Sequence, residues 1–163
     1  MTIQENKNFL IGAVAVFVFL VTAVIVGPRP GMGELHAAAF GSVSSPWSEG
    51  WYENAEGYEE AMAEHKRTGK PMGVYMTVTW CPYCRQFEKR VLSSSVVKDY
   101  LKDKILVSIN PEAGRRENVL AYRYRVTGFP TFYVHRPGSE RVTRLYLSGT
   151  PREFIQEFED ASK

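Results

Sequence analysis

The chain has 163 residues, a formal net charge of +2 and 44% hydrophobic residues. This length and composition predict one globular domain of ordinary size with a packed core, in addition to whatever the N-terminus forms. The small net charge, and the lack of a lysine–arginine cluster with interleaved aromatic residues, argue against nucleic-acid binding.

A long apolar segment follows a short tail of residues 1–8. Residues 9–26 carry no charged side chain, and as a helix they would span roughly 27 Å, close to the hydrocarbon thickness of a bilayer. The apolar cores of cleaved signal peptides are shorter, about 7–15 residues, and the nearest small-residue cleavage pattern, Ala37-Ala38-Ala39, lies well downstream. We therefore predict a retained transmembrane anchor, with a cleaved signal as the alternative.

Residues 27–53 are rich in Gly, Pro, Ala and Ser and show no sustained periodicity, which predicts a linker. Three aromatic residues near its end, Trp47, Trp51 and Tyr52, are expected to pack on the domain that follows. A membrane interface is the other place that such residues favour.

Residues 54–163 alternate between helical and strand patterns. Apolar spacing together with start and stop residues predicts helices over residues 57–68, 81–92, 96–101, 115–125 and 151–161. Apolar, β-branched runs predict strands over residues 72–79, 104–109, 131–135 and 141–147, with a hairpin turn at Pro137-Gly138. This order predicts an α/β fold with a mixed central sheet and helices on both faces. His65 is predicted to lie partly exposed on the first helix, without a ligand role.

The only two cysteines of the chain lie in Trp80-Cys81-Pro82-Tyr83-Cys84, directly after a predicted buried strand. If Cys81 begins a helix, its sulfur lies beside unpaired N–H groups and the positive end of the helix dipole, which favours the nucleophilic thiolate. Cys84 then lies one turn further along the same face, where it can attack a mixed disulfide. Pro82 suits a first helical turn, because it needs no N–H partner there.

The C-x-x-C spacing is also half of a zinc site. A second half is missing, since the three histidines, His36, His65 and His135, are scattered along the chain. A purely structural disulfide would close a very small loop and constrain little of the unfolded chain. The motif therefore predicts dithiol–disulfide redox chemistry, with no metal and no organic cofactor.

Two motifs in this order resemble the thioredoxin-fold family over about residues 55–163. Trp-Cys-x-x-Cys after a central strand matches the family's active site, and Gly128-Phe129-Pro130-Thr131 before the next strand matches its cis-proline turn. The resemblance implies that Pro130 is cis. It also implies that Phe129, Pro130 and Thr131 lie against the cysteine pair and offer backbone groups to extended substrates. The alternative for Pro130 is an ordinary proline at the start of a strand.

The stretch from Gly69 to Ser93 is similar to one branch in particular, and it includes Phe87-Glu88-Lys89 after the second cysteine. That branch comprises the C-terminal domain of membrane thiol:disulfide interchange reductases and related membrane-anchored periplasmic thioredoxin-like proteins. That branch uses a carboxylate at the position of Glu88 to adjust the pKa of the active-site thiols. Glu88 is four residues after Cys84, so on a helix it would lie one turn further along the same face. In the other interpretation, Glu88 is a solvated residue that pairs with Arg85 or Lys89.

The chain also departs from the family pattern. Many thioredoxins carry a buried Asp six residues before the first cysteine, as proton acceptor for the second, and Tyr75 occupies that position here. Proton transfer at Cys84 is then left to Glu88, Tyr75 or water. Pro82-Tyr83 resembles the glutaredoxin dipeptide, and glutaredoxin potentials lie at about −200 to −230 mV, against about −270 mV for thioredoxin. Phe129 is bulkier than the usual Thr, Val or Ile, and it is expected to narrow the substrate groove or to contact a dedicated partner.

Together these features predict a membrane-anchored thiol:disulfide oxidoreductase, acting chiefly as a reductase of protein disulfides. In this scheme Cys81 attacks a substrate disulfide and Cys84 resolves the product, while an upstream thiol donor restores the dithiol. Trp80, Phe129 and Pro130 would shape the docking surface. The same residues can run in reverse as an oxidase. The rival interpretation is a thioredoxin-fold binding or assembly module, or a metal-handling protein, without redox turnover.

The C-terminal domain is predicted to face the periplasm or the cell exterior from the inner membrane, because disulfides persist there. Charge contributes little to this orientation, since Lys7 precedes the apolar segment and Arg29 follows it. A protein secreted after signal cleavage is the alternative.

Overall fold

The computed structural model describes residues 45–163. The predicted anchor over residues 9–26, and the linker up to residue 44, lie outside the described residues. Within residues 45–163, no helix is both long and apolar enough to cross a membrane.

Five strands and five α-helices make up the described part of the chain. The strands are β1 (Tyr52–Glu53), β2 (Met72–Met76), β3 (Ile105–Ile109), β4 (Thr131–His135) and β5 (Val142–Arg144). The helices are α1 (Asn54–Thr68), α2 (Pro82–Phe87), α3 (Ser95–Leu101), α4 (Arg115–Arg123) and α5 (Pro151–Ser162). A π-helical turn over Glu88–Leu92 continues α2.

The strands form one mixed sheet in the order β1-β3-β2-β4-β5. β1, β3 and β2 run parallel, whereas β4 pairs antiparallel with both β2 and β5. Every residue of β2 and β4 is buried, because both strands lie inside the sheet with layers on each face. The predicted α/β architecture, a mixed sheet with helices on both faces, is confirmed.

Each face of the sheet has its own hydrophobic core. On one face, the aromatic side chains of β4 and α5 pack with α2, its π-helical turn and α3, including Phe132, Phe154 and Phe158. On the other face, α1 and α4 cover the alternate side chains of β2 and β3. Close packing explains a glycine in the central strand, because a Cβ atom at Gly73 would come within 2.8 Å of the Phe132 ring.

The packed part of the chain begins before the predicted boundary at residue 54. β1 lies in the stretch that was expected to be a linker, and Tyr52 pairs with Val107 of β3. Trp47 packs edge-on against Trp51 and against Tyr75, with both ring centroid distances 5.4 Å. The predicted packing of these aromatic residues on the domain is thus confirmed. A two-residue strand is too short to produce a period-2 pattern in the sequence.

Three elements differ from the sequence-based expectation in length or form. The strand predicted over residues 72–79 ends at Met76, and the chain then turns, with the Cys81 N–H bonded to the Val78 carbonyl. The helix predicted over residues 81–92 changes from α to π geometry at Glu88. The strand predicted over residues 141–147 is limited to β5 and one further bond, from the Leu145 N–H to the Phe132 carbonyl of β4. The N–H groups of Tyr146 and Leu147 then bind a carboxylate of α5 and not β4.

His65 is buried, and the prediction of partial exposure was wrong. Its Nδ1 lies 2.6 Å from the carbonyl oxygen of Lys70, and its ring packs edge-on against that of His135. The reason is local. Gly69 adopts a left-handed conformation with φ of 67° that ends α1 and folds the chain back over the histidine.

Candidate active site

The two cysteines lie where the carboxyl end of β2 meets the amino end of α2. Cys81 caps the helix, and its sulfur accepts a hydrogen bond of 3.1 Å from the Cys84 N–H. Pro82 occupies the first helical position, as predicted. Both cysteines are free thiols, and they are 3% and 1% exposed. The site therefore holds a buried, reduced dithiol at a helix N-terminus.

The turn before β4 lies directly against this pair. The Phe129–Pro130 peptide bond is cis, and the Cys81 thiol donates to the Phe129 carbonyl at 3.6 Å. The Thr131 hydroxyl donates to the Gly128 carbonyl at 2.6 Å and closes the turn. The Phe129 side chain is partly buried against the cysteines and Val78. The structure thus brings together the two motifs that lie 48 positions apart in the sequence.

Trp80 and Tyr83 flank the dithiol on the surface, with 62% and 70% of each residue exposed. The Trp80 indole N–H donates to both carboxylate oxygens of Glu112, at 3.1 and 3.0 Å. Glu112 thereby anchors the indole beside the cysteines. The sequence analysis missed Glu112, which belongs to a loop 32 positions away and carries no recognisable motif.

Glu88 lies behind the second cysteine and is partly buried. Its Oε1 accepts one hydrogen bond from the Tyr75 phenol at 3.1 Å and another from the Thr77 hydroxyl at 3.0 Å. Neither ion pair found within residues 45–163 involves Glu88, and the Arg85 guanidinium donates instead to the Thr79 carbonyl. The structure therefore places Glu88 in a polar network with β2 and does not pair it with Arg85 or Lys89.

Burial raises the pKa of the Cys84 thiol to about 11, and hydrogen bonding with Cys81 adds to the rise. The Thr77 hydroxyl also interacts with the Cys84 sulfur and partly offsets that increase. Burial, followed by the charge of Glu88, raises the pKa of Tyr75 as well. At neutral pH, Cys84 therefore holds its proton, and Tyr75 serves as a hydrogen-bond donor to Glu88 and not as a proton acceptor.

A polar cleft of about 330 Å³ reaches this network. Thr77 and Glu88 line it together with Arg85, Ser108 and Asn110. The cleft connects the Glu88 carboxylate with solvent. Thr77 was not among the sequence-predicted site residues, because a lone threonine at a strand end carries no signal of its own.

A second concave surface, here named the cysteine groove, has a volume of about 440 Å³ and adjoins the dithiol through Phe129, whose carbonyl contacts Cys81. Tyr83, Phe129 and Pro130 form one wall, and Tyr146 and Leu147 form the other. Tyr146 is 94% exposed. Its loop is nonetheless ordered by a single carboxylate from α5.

That carboxylate belongs to Glu157. It accepts backbone hydrogen bonds from Tyr146, Leu147 and Ser148, at 2.8, 3.0 and 3.2 Å, and a further one from the Ser148 hydroxyl. Partial burial acts to raise the pKa of Glu157, but these hydrogen bonds outweigh it and the pKa is lowered. Glu157 thus holds the loop with a charge that persists at neutral pH.

Replacing Glu157 with glutamine is expected to loosen this loop. The amide keeps the size of the side chain but loses the charge, so we expect a destabilisation of about 1–2 kcal/mol and weaker binding of protein substrates. The measurements are thermal unfolding, and KM for a protein disulfide compared with a small-molecule disulfide. Glu159→Gln, an exposed neighbour on α5, is the control. Equal KM changes for both substrates would contradict a role confined to the groove wall.

Within residues 45–163, no group of three or more His, Cys, Asp or Glu side chains is placed to hold a metal ion. His65 and His135 lie together, but at the end of the sheet away from the cysteines. The dithiol therefore remains the chemical centre of this site.

A buried dithiol that caps a helix, faces a cis-proline turn and follows a central strand of a mixed sheet defines a protein of the thioredoxin fold. The chain belongs to the thioredoxin-like family, whose family model matches residues 51–137. The recognition made from the sequence motifs is therefore confirmed.

Relatives of known type are thiol:disulfide interchange proteins. The protein DsbD of Citrobacter koseri is 29% identical over 119 residues, which are 70% of this chain and 20% of DsbD. DsbD of Salmonella typhi is 30% identical over 119 residues, which are again 70% of this chain and 20% of DsbD. The chain thus spans about a fifth of the length of the curated relatives it matches. These matches relate it to thiol–disulfide oxidoreductases.

Solved structures agree on the fold. A thioredoxin from Thermus thermophilus is 32% identical, with a TM-score of 0.57 over 68% of this chain and 84% of that one. The oxidised C-terminal domain of DsbD from Neisseria meningitidis has a TM-score of 0.58 over 68% of this chain and 98% of that one. Its identity of 18% supports a shared fold alone.

Proposed function

We propose that the protein is a membrane-anchored thiol:disulfide oxidoreductase that reduces disulfides of protein substrates. One observation carries the proposal: the Cys81 sulfur lies at the N-terminus of α2, accepts the Cys84 N–H at 3.1 Å and faces the Phe129 carbonyl at 3.6 Å. At this position the helix N–H groups and the positive end of the helix dipole stabilise negative charge on a reacting sulfur. The position also lies beside the backbone of a turn that an extended substrate can follow.

In the first chemical step, the Cys81 thiolate attacks one sulfur of a substrate disulfide. A Cys81–substrate disulfide forms, the substrate S–S bond breaks, and the departing substrate sulfur leaves as a thiolate that takes a proton from solvent. Trp80 and Tyr83 provide exposed aromatic surface beside the reacting sulfurs. Phe129, Pro130 and Thr131 supply the turn against which the substrate backbone lies.

In the second step, Cys84 attacks the Cys81 sulfur and must first lose its proton. The Thr77 hydroxyl donates to Glu88 at 3.0 Å, and its oxygen keeps lone pairs that can take up a proton. The relay begins when the Cys84 thiol turns to donate to that oxygen: a proton passes from Cys84 to Thr77 while Thr77 passes its own to Glu88. Glu88 then releases the proton into the polar cleft. The products are a Cys81–Cys84 disulfide and the second substrate thiolate, so the substrate gains two electrons.

The anchor and the location belong to this proposal and rest on sequence. The uncharged stretch of residues 9–26 supports a single membrane span from the inner membrane, with the dithiol domain on the periplasmic or exterior side, where protein disulfides persist. Because each turnover leaves Cys81 and Cys84 oxidised, a thiol donor must return two electrons. No metal or organic cofactor enters either step.

Redox equilibration tests the function and its direction. The full-length chain is incubated in graded thiol/disulfide buffers, and its free thiols are alkylated and counted by mass. We expect reversible formation of one Cys81–Cys84 disulfide, with a midpoint below about −220 mV, as in reductases. A midpoint near about −120 mV would assign the protein to oxidants. If no disulfide forms at any potential, the redox function fails and a binding module takes its place.

A further inference from the structure

Another groove, distinct from the polar cleft and the cysteine groove and here named the arginine groove, lies on the sheet face covered by α1 and α4. It consists of two adjoining depressions of about 320 and 280 Å³, which share Tyr58 and Arg123. Its residues come from α1, α4, the turn after α4, β4 and β5. Among the residues that the structure describes, only Arg144 borders both this groove and the cysteine groove.

The floor of the arginine groove is apolar and held in place by hydrogen bonds. The Tyr124 hydroxyl donates to the Tyr58 hydroxyl at 3.1 Å, and the Tyr133 hydroxyl donates to the Tyr124 carbonyl at 2.9 Å. Two apolar side chains on the rim are unusually exposed, with 48% of Val119 and 41% of Val142 accessible. A ligand would therefore find a preformed apolar surface and would not have to organise it.

The rim is strongly cationic. Five arginines line the groove: Arg115, Arg116, Arg123, Arg125 and Arg144. The one carboxylate that lines it belongs to Glu59, which pairs with Arg116 at 2.7 Å. The other four guanidinium groups form no ion pair within residues 45–163. The groove thus presents about four uncompensated positive charges above an apolar floor.

The fold itself gains little from two of these charges. Arg115 is the first residue of α4, where the positive end of the helix dipole disfavours a cation. Arg125 adopts a positive φ of 54°, a conformation in which glycine or asparagine is more stable than arginine. Helix and turn chemistry alone would favour other residues at both positions.

We propose that the arginine groove binds an acidic, partly apolar segment of a partner protein. Carboxylates of such a segment would pair with the unpaired guanidinium groups, which suit carboxylates through bidentate hydrogen bonds. Its apolar side chains would cover Val119, Val142 and the tyrosine floor. The charges extend along two depressions, which fits a chain better than one small anion, and the surface is concave, which fits a chain better than a flat membrane. Because Arg144 lines both grooves, a segment bound in the arginine groove can extend into the cysteine groove.

The test uses the full-length chain in a zwitterionic detergent and a fluorescent peptide of alternating Glu and Leu. A peptide of alternating Lys and Leu is the charge-reversed probe. We expect the acidic peptide to bind at least about tenfold more tightly than the basic one at low salt, and its binding to weaken as salt is raised. The double substitution Arg123→Glu with Arg125→Glu should reduce acidic-peptide binding by at least about tenfold.

The matched control combines Lys102→Glu with Arg152→Glu. It changes the net charge equally, but Lys102 directly follows α3 and Arg152 lies on α5, across the sheet, and both are exposed. Circular dichroism checks the fold, and Arg123→Gln with Arg125→Gln tests the loss of charge without reversal.

An equal loss of acidic-peptide binding in the groove and control variants, or equal affinity for the two peptides, would overturn the proposal. Full displacement of the peptide by inorganic phosphate or by phosphatidylglycerol vesicles would also overturn it, in favour of a small-anion or a membrane site. Reduction of a small-molecule disulfide should be unchanged in every variant, so this result is independent of the redox function.

Discussion

Replacing Cys81 with serine is expected to lower the reduction of a protein disulfide by at least about 10³-fold. The serine hydroxyl is a far weaker nucleophile than a thiolate, and the helix N-terminus cannot ionise it at neutral pH. The assay follows reduction of an insulin-type protein disulfide with a chemical thiol as donor. Circular dichroism of the variant shows whether the fold is intact, since the substitution changes a single buried atom.

Cys84→Ser is the matched partner of this variant and should fail differently. It retains the attacking thiolate but cannot resolve the product, so a Cys81–substrate disulfide should accumulate and be visible by mass under non-reducing conditions. Trapping by Cys84→Ser but not by Cys81→Ser assigns the attack to Cys81. If Cys84→Ser traps nothing while Cys81→Ser does, the two roles are reversed. Full activity in both variants would remove the redox function altogether.

The second large effect concerns the proton of Cys84. Because burial raises the pKa of this thiol to about 11, attack by Cys84 at neutral pH depends on a proton acceptor. We expect Glu88→Gln to slow the resolving step by about 10²-fold at pH 7, with little change in the attack by Cys81. An aromatic disulfide reagent that releases a coloured thiolate separates the two steps, since each step liberates one equivalent.

The pH dependence distinguishes a proton relay from a structural effect. As the pH rises toward about 11, hydroxide removes the Cys84 proton directly, so the difference between the wild type and Glu88→Gln should shrink. Thr77→Val should behave like Glu88→Gln, and Thr77→Ser should restore the rate because it keeps the hydroxyl. Lys89→Gln, at an exposed neighbouring position, is the control. A rate deficit that stays constant up to high pH would show that Glu88 supports packing and does not accept the proton.

The sequence by itself was enough to predict the local chemistry. Trp80 to Cys84 forms the helix start that the spacing indicated, since a capping residue and a first-turn proline act over only a few positions. The apolar runs of β2 and β3 also predicted buried strands correctly, because burial on both faces leaves a continuous apolar sequence. The Phe129-Pro130 motif was recognised through its resemblance to a family, and physical pattern alone did not require its contact with Cys81.

Only the tertiary structure decided what lies around the dithiol. Glu112 anchors Trp80, and Glu157 holds the loop opposite Tyr83, through contacts between residues far apart in the chain. The sequence also allowed Glu88 to be a solvated helix residue. In the fold, β2 and the residue that follows it place the Tyr75 and Thr77 hydroxyls in hydrogen bonds with the Glu88 carboxylate. Sequence periodicity reports which face of an element is apolar, but it does not report which polar groups meet across elements. The cysteine chemistry is therefore local and readable from the sequence, whereas its proton route and its docking surfaces are products of the fold.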